Sequence, residues 1–352
     1  MKFKIICVFF VFVEICIGQE FIGPHGYLTF EAEISNKDSL SELGTFDLHH
    51  FNIMGNYLLN PRARVFGEIE WEHGTDLPSE ENLGMYDSEN SSGSLRLERA
   101  WFEYALSPKL KFRFGKYLTP YGIYNEIHDA APAFDTSVLP YSIYGKHRNL
   151  LGQVQRFYSK FSLGIVALGR IEKNIYSIEY KVFISNGRGT NSFENDDNKD
   201  KGLGSRLLFE LPSRGLKFGY SVYTDKNGRV FHSRQTSHSF DLRFEKKRWR
   251  LTGEFAHSRL GKVEKTAYLQ IANAAYGELA YLLLKRQTVL IRYDVFDPDR
   301  KLKNDRVRDI TIATNYQIIK RSLIKAEVHF WHDNYSQRQN YVQAIASLAV
   351  VF

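Results

Sequence analysis

Residues Arg62-Ala63-Arg64-Val65-Phe66-Gly67-Glu68-Ile69-Glu70-Trp71-Glu72 alternate without a slip. One parity carries Ala63, Val65, Gly67, Ile69 and Trp71; the other carries Arg62, Arg64, Phe66, Glu68, Glu70 and Glu72. Successive side chains of a strand point to opposite faces, so this pattern describes a strand set between two different solvents. Gly26 to Ile34 repeats it, with Leu28, Phe30, Ala32 and Ile34 against Tyr27, Thr29, Glu31 and Glu33. Helical periodicity is almost absent elsewhere.

Sixteen such spans can be read: 26–34, 46–58, 62–73, 95–106, 110–118, 150–170, 175–185, 203–211, 216–223, 237–246, 249–257, 266–281, 288–296, 307–316, 322–331 and 340–352. A soluble sandwich has no use for so many two-faced strands, and sheets of this size close into barrels. The expected fold is therefore all-β: a transmembrane antiparallel β-barrel of about sixteen strands. Its connections alternate. Short turns at Asn60-Pro61, Ser107-Pro108-Lys109 and Lys246-Lys247-Arg248 interleave with long polar segments such as 74–94 and 186–202. Short turns on one side, long loops on the other and an even strand number are the pattern of bacterial outer-membrane barrels. The stretch 150–175 could instead hold two short strands, which would break that parity.

The start of the chain reads as a targeting segment. Lys2 and Lys4 precede an apolar run, Ile5 to Val13, and Cys16-Ile17-Gly18 offers a small-residue cleavage site. Residues 1–18 are expected to be removed, leaving 19–352 as one barrel domain. Both cysteines, Cys7 and Cys16, leave with the segment, which excludes disulfides, thiolate metal sites and Cys nucleophiles from the mature chain. The net charge of +7 is spread among many acids rather than gathered in a basic tail, so no nucleic-acid partner is expected. No Gly-rich nucleotide loop is present and no cofactor is expected. His73 beside Glu72, and His128 beside Asp129, read as isolated pairs rather than metal sites.

At the other end, Tyr341 to Phe352 places Val342, Ala344, Ala346, Leu348, Val350 and Phe352 on one parity. This resembles the last strand of bacterial outer-membrane proteins, which ends in Phe and is read by the barrel-assembly machinery. Phe352 is the expected assembly signal, and membrane lipid the expected outer contact. Aromatic residues of the outward parity, including Phe102, Phe114, Phe218, Phe240, Trp249, Phe255, Tyr293 and Phe330, would face that lipid. The inward parity carries both signs of charge, among them Arg99, Glu103, Lys111, Arg113, Lys181, Arg206, Glu254, Arg292 and Glu327. Unpaired buried charge is costly, so this density calls for a water-filled lumen.

Gly115 to Asn149 departs from alternation. It holds Pro120, Pro132 and Pro140, yet is rich in apolar and aromatic residues. So long an irregular connection is usually functional, and its apolar content suits a loop folded inward against the wall. Gly115-Lys116-Tyr117-Leu118-Thr119-Pro120-Tyr121-Gly122 resembles the Gly-Arg/Lys-x-x-x-Pro-Phe/Tyr-Gly motif of the phosphate-selective porin O and P family. There the motif, here Gly115, Pro120 and Gly122, opens the third outer loop, which folds into the barrel. The resemblance covers about 95–150. It implies a sixteen-stranded outer-membrane porin, usually trimeric, so that a homotrimer is expected, with a loop-lined constriction.

Ligand specificity does not carry over. Residues 119–149 hold Glu126, Asp129 and Asp135 against only Lys146 and Arg148. The expected constriction sets these three acids against Arg99, Lys111, Arg113 and Lys116 at the loop's base. The expected function is passive diffusion of small hydrophilic solutes or ions with mild charge selectivity. A phosphate- or anion-selective porin is the alternative. A surface-display barrel or a barrel enzyme is a further one; for the enzyme, Asp47, His49 and His50 would be the catalytic candidates, but Asp47 and His49 share one strand face while His50 lies on the other.

Overall fold

The computed structural model describes residues 21–73, 94–127, 133–145, 147–148, 154–188, 196, 198–227, 233–261, 270–335 and 339–352. The expected signal segment, His128, Asp129, residues 74–93, and 189–195 and 197 of the segment 186–202 lie outside the described residues.

The strands are β1 (Phe21–Ser35), β2 (Thr45–Asn60), β3 (Ala63–Glu72), β4 (Ser94–Ser107), β5 (Leu110–Leu118), β6 (His147–Arg148), β7 (Val154–Gln155), β8 (Phe161–Glu172) and β9 (Ser177–Ser185). They continue with β10 (Gly202–Leu211), β11 (Leu216–Asn227), β12 (Ser233–Lys246), β13 (Trp249–Leu260), β14 (Gln270–Leu284), β15 (Gln287–Asp297), β16 (Val307–Ile319), β17 (Ser322–Asp333) and β18 (Gln339–Val351). All but β6 and β7 form one closed barrel in sequence order. Every neighbouring pair is antiparallel, and β18 closes on β1 with Tyr27 opposite Val351 and Ser35 opposite Gln343. Closure leaves no unpaired strand edge, a requirement for crossing hydrocarbon with strands.

Turns confirm the alternation of connections. Lys247 and Arg321 take positive φ in the short turns, and Gly215 (φ 65°) ends the 3-10 turn Pro212–Arg214. A Cβ on Gly215 would lie 1.8 Å from the Glu245 carbonyl oxygen, so glycine is required there. The 150–170 strand is corrected: β8 starts at Phe161, and β6 and β7 form only a two-residue ladder within the β5–β8 connection.

The exterior is apolar all round. Phe102, Phe114, Phe218, Phe240, Trp249, Phe255, Tyr293, Phe330 and Phe352 are all exposed, together with a ring of Ile and Leu. So continuous an apolar surface is foreign to a soluble monomer. Among the described residues no helix is long and apolar enough to cross a membrane, which bears only on helices.

Among the register shifts of the barrel, two bulges toward the long-loop ends of β2 and β4 break the parity read from sequence. Between the pairs Thr29–His50 and Glu31–Asp47, β2 carries one residue more than β1. Between Glu68–Arg99 and Ile69–Leu97, β4 carries one more than β3. Each bulge turns consecutive side chains to the interior, so His50 lies on the same side as His49, the two rings stacked at 4.1 Å, and not on the opposite face expected from strict alternation. Not all of the inward charges border the open lumen. Glu254, Arg292, Asp294, Lys325, Glu327 and His329 are buried, because the β5–β8 connection covers them.

Candidate functional site: a lumen narrowed by one loop

The connection 119–160 turns into the barrel at Gly122 (φ 63°). A Cβ there would fall 2.4 Å from both Glu254 Oε1 and the Tyr144 hydroxyl. Gly115 (φ 130°) permits a similar approach, since its Cβ would meet the Ala100 carbonyl oxygen at 2.3 Å. Both motif glycines are thus needed for backbone conformation and for space. Pro120 is buried beside them.

Wall carboxylates hold the loop. Glu254 on β13 accepts a hydrogen bond from the Tyr144 hydroxyl at 2.5 Å and one from Ser239. The Tyr144 oxygen in turn accepts from the Ile123 and Tyr124 amides at 2.7 and 3.1 Å. Asp294 on β15 accepts from the Ser142 amide at 3.1 Å. Glu327 on β17 accepts from the Ser137 and Val138 amides. Cations of the same wall bind loop carbonyls: Arg292 donates to Val138 and Lys325 to Thr136. A buried carboxylate facing amide N–H groups is a strong, charge-assisted anchor. Loop side chains fill the remaining space. Tyr121 stacks on Tyr158 at 4.5 Å, and Tyr124 lies parallel to Tyr276 of β14 at 6.2 Å. Burial, with the nearby Glu254 charge, pushes the Tyr144 hydroxyl far above its ordinary value, so it remains a donor.

The opposite wall is left open. A cavity of about 480 Å³ near the short-turn end is lined by Arg64, Arg99, Lys111, Arg113, Arg170 and Lys181. Among the described residues, Glu126 and Glu179 are the acids on its surface. The cations are ordered on an aromatic platform. Phe66 of β3 stacks on Trp101 of β4 at 5.0 Å; Arg99 lies over Phe66 at 4.8 Å and Arg113 over Trp101 at 4.2 Å. Glu103 receives both the Arg64 and Arg113 guanidinium groups, at 2.7 and 2.8 Å. Glu68 pairs with Arg99. A larger groove, about 740 Å³, is lined by Ile34, Phe46, Ile312, Val328 and Ala344 and belongs to the apolar exterior rather than to the channel.

The structure places the expected constriction residues unequally. Arg99, Lys111, Arg113 and Glu126 line one cavity. Glu126 pairs with Lys181 of β9 at 2.8 Å. Burial raises the Glu126 carboxyl, but the Lys181 charge and hydrogen bonds outweigh it and hold the group below its ordinary value. Asp135 faces a different part of the wall, paired with Arg250 of β13 and accepting from Asn315 of β16 at 3.0 Å. Lys116 does not line the cavity: it donates to the Leu97 carbonyl and lies over the Phe161 ring at 4.8 Å. Asp129 lies outside the described residues. The anchoring roles of Glu254, Asp294 and Glu327 were not foreseen. Their inward parity was visible, but only contact with the loop distinguishes an anchor from a solvated charge. Arg170 was missed outright, although it follows the alternation of β8.

No known family model matches the chain. A protein of Aquifex aeolicus (strain VF5), described as uncharacterized, is 30% identical over 166 residues, which is 47% of this chain and 32% of that protein. The match therefore spans about a third of the length of that relative. Solved structures align over nearly the whole barrel. The anion-selective porin from Comamonas acidovorans has a TM-score of 0.65 at 9% identity, covering 95% of this chain and 100% of that one. OmpF of Salmonella typhi in complex with daunomycin gives 0.63 at 12%, covering 95% and 98%. In-vitro folded OmpT of Vibrio cholerae, in a trimer form, gives 0.62 at 10%, covering 95% and 99%. At these identities the likeness shows the fold: a closed sixteen-stranded β-barrel.

Proposed function

We propose that this protein is a channel of the bacterial outer membrane through which small hydrophilic solutes diffuse passively, with a mild preference for anions. The supporting observation is the polar cavity of about 480 Å³ beside the inward loop, where six cations outnumber two surface acids. A charged wall around water selects among hydrated solutes by its field. The preference is mild because most of the cations are already paired: Arg64 and Arg113 share Glu103, Arg99 holds Glu68, and Lys181 bridges Glu126 and Glu179. Lys111 has no ion pair with any described residue and supplies the surplus. The resemblance to the porin O and P family agrees with this channel type, and the partial neutralisation favours a general porin over a phosphate-specific one. The long loops then face the exterior, Phe352 presents its ring to lipid and to the assembly machinery, and the assembly is a homotrimer.

Reconstitution into planar bilayers tests the reading. A salt gradient should give stepwise conductance with a reversal potential displaced modestly toward that of chloride. Absence of steps above the protein-free bilayer, or a strong cation preference, would overturn it.

A further inference from the structure

The two bulges converge on one place in the wall. On β3 the inward face runs from Arg64 and Phe66 at the short-turn end to Glu68, Glu70 and Glu72 at the long-loop end. The β2 bulge delivers His50 beside Glu70 and Glu72, and the β4 bulge delivers Glu98 from the other side. His50 is 4% exposed, Glu70 0% and Glu98 1%. Both Glu70 carboxylate oxygens and one of Glu98 are buried side-chain atoms. Ligand atoms of His50, Glu70 and Glu72 all lie within 4.8 Å of one another.

The imidazole is oriented as a metal ligand would be. Its Nδ1 lies 3.3 Å from the Thr29 hydroxyl, which turns Nε2 toward Glu70 Oε1 at 3.5 Å. Fixing one ring nitrogen through a neighbour while the other faces the metal is the usual device at His sites. The 3.5 Å separation is long for a hydrogen bond but close to the ~3.4 Å expected between two ligands each ~2.1 Å from a tetrahedral ion. Cations also face the cluster. Arg96, half-exposed, holds Glu72 at 3.1 Å, Lys160 acts on Glu70, and Lys116 acts on Glu98 and Glu70, so a bound cation would have to displace or outcompete these charges.

We propose that His50, Glu70 and Glu72, with Glu98 beside them, bind a divalent first-row transition cation in the lumen wall. The mixed imidazole–carboxylate set suits Zn²⁺ or Co²⁺ better than Ca²⁺ or Mg²⁺, which prefer oxygen donors alone. Arg96 turns to solvent when the ion takes its place on Glu72.

The test needs no flux, so it stands apart from the channel reading. The refolded full barrel in detergent, freed of metal, is titrated with Zn²⁺ by calorimetry and with Co²⁺ by visible absorption. One equivalent of each should bind, Co²⁺ with a d–d band, and Ca²⁺ should bind at least tenfold more weakly. His50→Ala and Glu70→Gln should each weaken Zn²⁺ binding tenfold or more. His238→Ala should retain it, because that ring lies on β12 against the Tyr220 hydroxyl at 2.8 Å. Heat-modifiable migration on gels checks that each variant is folded. Folded wild type that binds no stoichiometric Zn²⁺, an unaffected folded His50→Ala, or equal affinity for Ca²⁺ would overturn the proposal; if His50→Ala fails to fold, Glu70→Gln decides.

Discussion

The walls on the two sides of the lumen use inward charges in opposite ways. On β13 to β17 the charges are covered: Glu254, Arg292, Asp294, Lys325 and Glu327 are buried, and each has a hydrogen bond to the loop or its side chains. On β3 to β9 the arginines remain partly open, although the acids Glu68, Glu70, Glu98 and Glu103 are buried. Arg113 and Arg99 keep about a fifth of their side-chain surface, and they are ordered by carboxylates and aromatic rings of the wall itself. Desolvation explains the division. A charge taken out of water needs a partner, and breaking a buried pair costs about 3–5 kcal/mol. Where the loop supplies amides and carbonyls the charge becomes an anchor; where it does not, the charge stays at a water-filled surface and contributes a field.

The comparison presupposes a closed barrel, so the largest expected effect attacks closure. Phe352 exchanges two backbone hydrogen bonds with Gly26 at 2.9 Å, and its ring lies outside against Phe51. Deleting Phe352, or changing it to Asp, should abolish most membrane insertion. Val351→Asp, on the neighbouring parity, should leave substantially more inserted protein in outer-membrane fractions. Equal yields for the two positions would break the assigned orientation of β18.

Next in size is removal of the covering. Deleting 124–140 takes away the Glu327 anchor and much of the packed surface, and water enters to solvate the exposed wall. Single-channel conductance should rise several-fold with little loss of folded barrel. A conductance unchanged within scatter would mean the loop does not narrow the path, and the two walls would then be functionally alike.

The strands were legible because period two needs no tertiary knowledge: Arg62 to Glu72 and Tyr341 to Phe352 reveal their faces directly. The bulges were not. His49-His50 and Glu98-Arg99 are consecutive polar pairs inside otherwise alternating strands, and a strict parity count assigns one of each pair to lipid. Such a pair is itself the visible sign of an extra residue. The start of β8 was misplaced because the connection before it, with Phe157 and Tyr158, is as apolar as a strand; Phe157 instead packs edge-on against Phe296 of β15, and Tyr158 stacks on Tyr121 of the same connection. Which charges are anchors depends on contacts between residues more than a hundred positions apart, such as Tyr144 with Glu254, and no local pattern encodes them.

Selectivity sharpens the open side of the comparison. Replacing Arg99, Lys111 and Arg113 together by Gln should move the reversal potential toward that of the cation. Glu103 and Glu68 would lose guanidinium partners and add uncompensated negative charge. Arg250→Gln on the covered side should shift selectivity far less, because its partner Asp135 keeps Asn315. A larger shift from Arg250 than from the three open-side residues would reverse the assignment of the two walls.

The smallest effect separates two acids of the same loop. Glu126 lines the cavity, whereas Asp135 is engaged by Arg250 and Asn315 away from Arg99, Lys111 and Arg113. Glu126→Gln should therefore raise anion preference measurably and Asp135→Asn should hardly change it. Acid should mimic the first substitution. Lys181 holds the Glu126 carboxyl below its ordinary value, so the group stays charged until the pH falls into a range below that of an ordinary glutamate. A depressed carboxylate contributes its stabilisation above the unfolded value and loses it as pH falls through the folded one. Anion preference in the parent should thus climb as the pH is lowered through that range, and the slope should be reduced in Glu126→Gln. If Asp135→Asn reduces the slope and Glu126→Gln does not, the field at the constriction comes from the covered wall, and the division between anchoring and selecting charges must be redrawn.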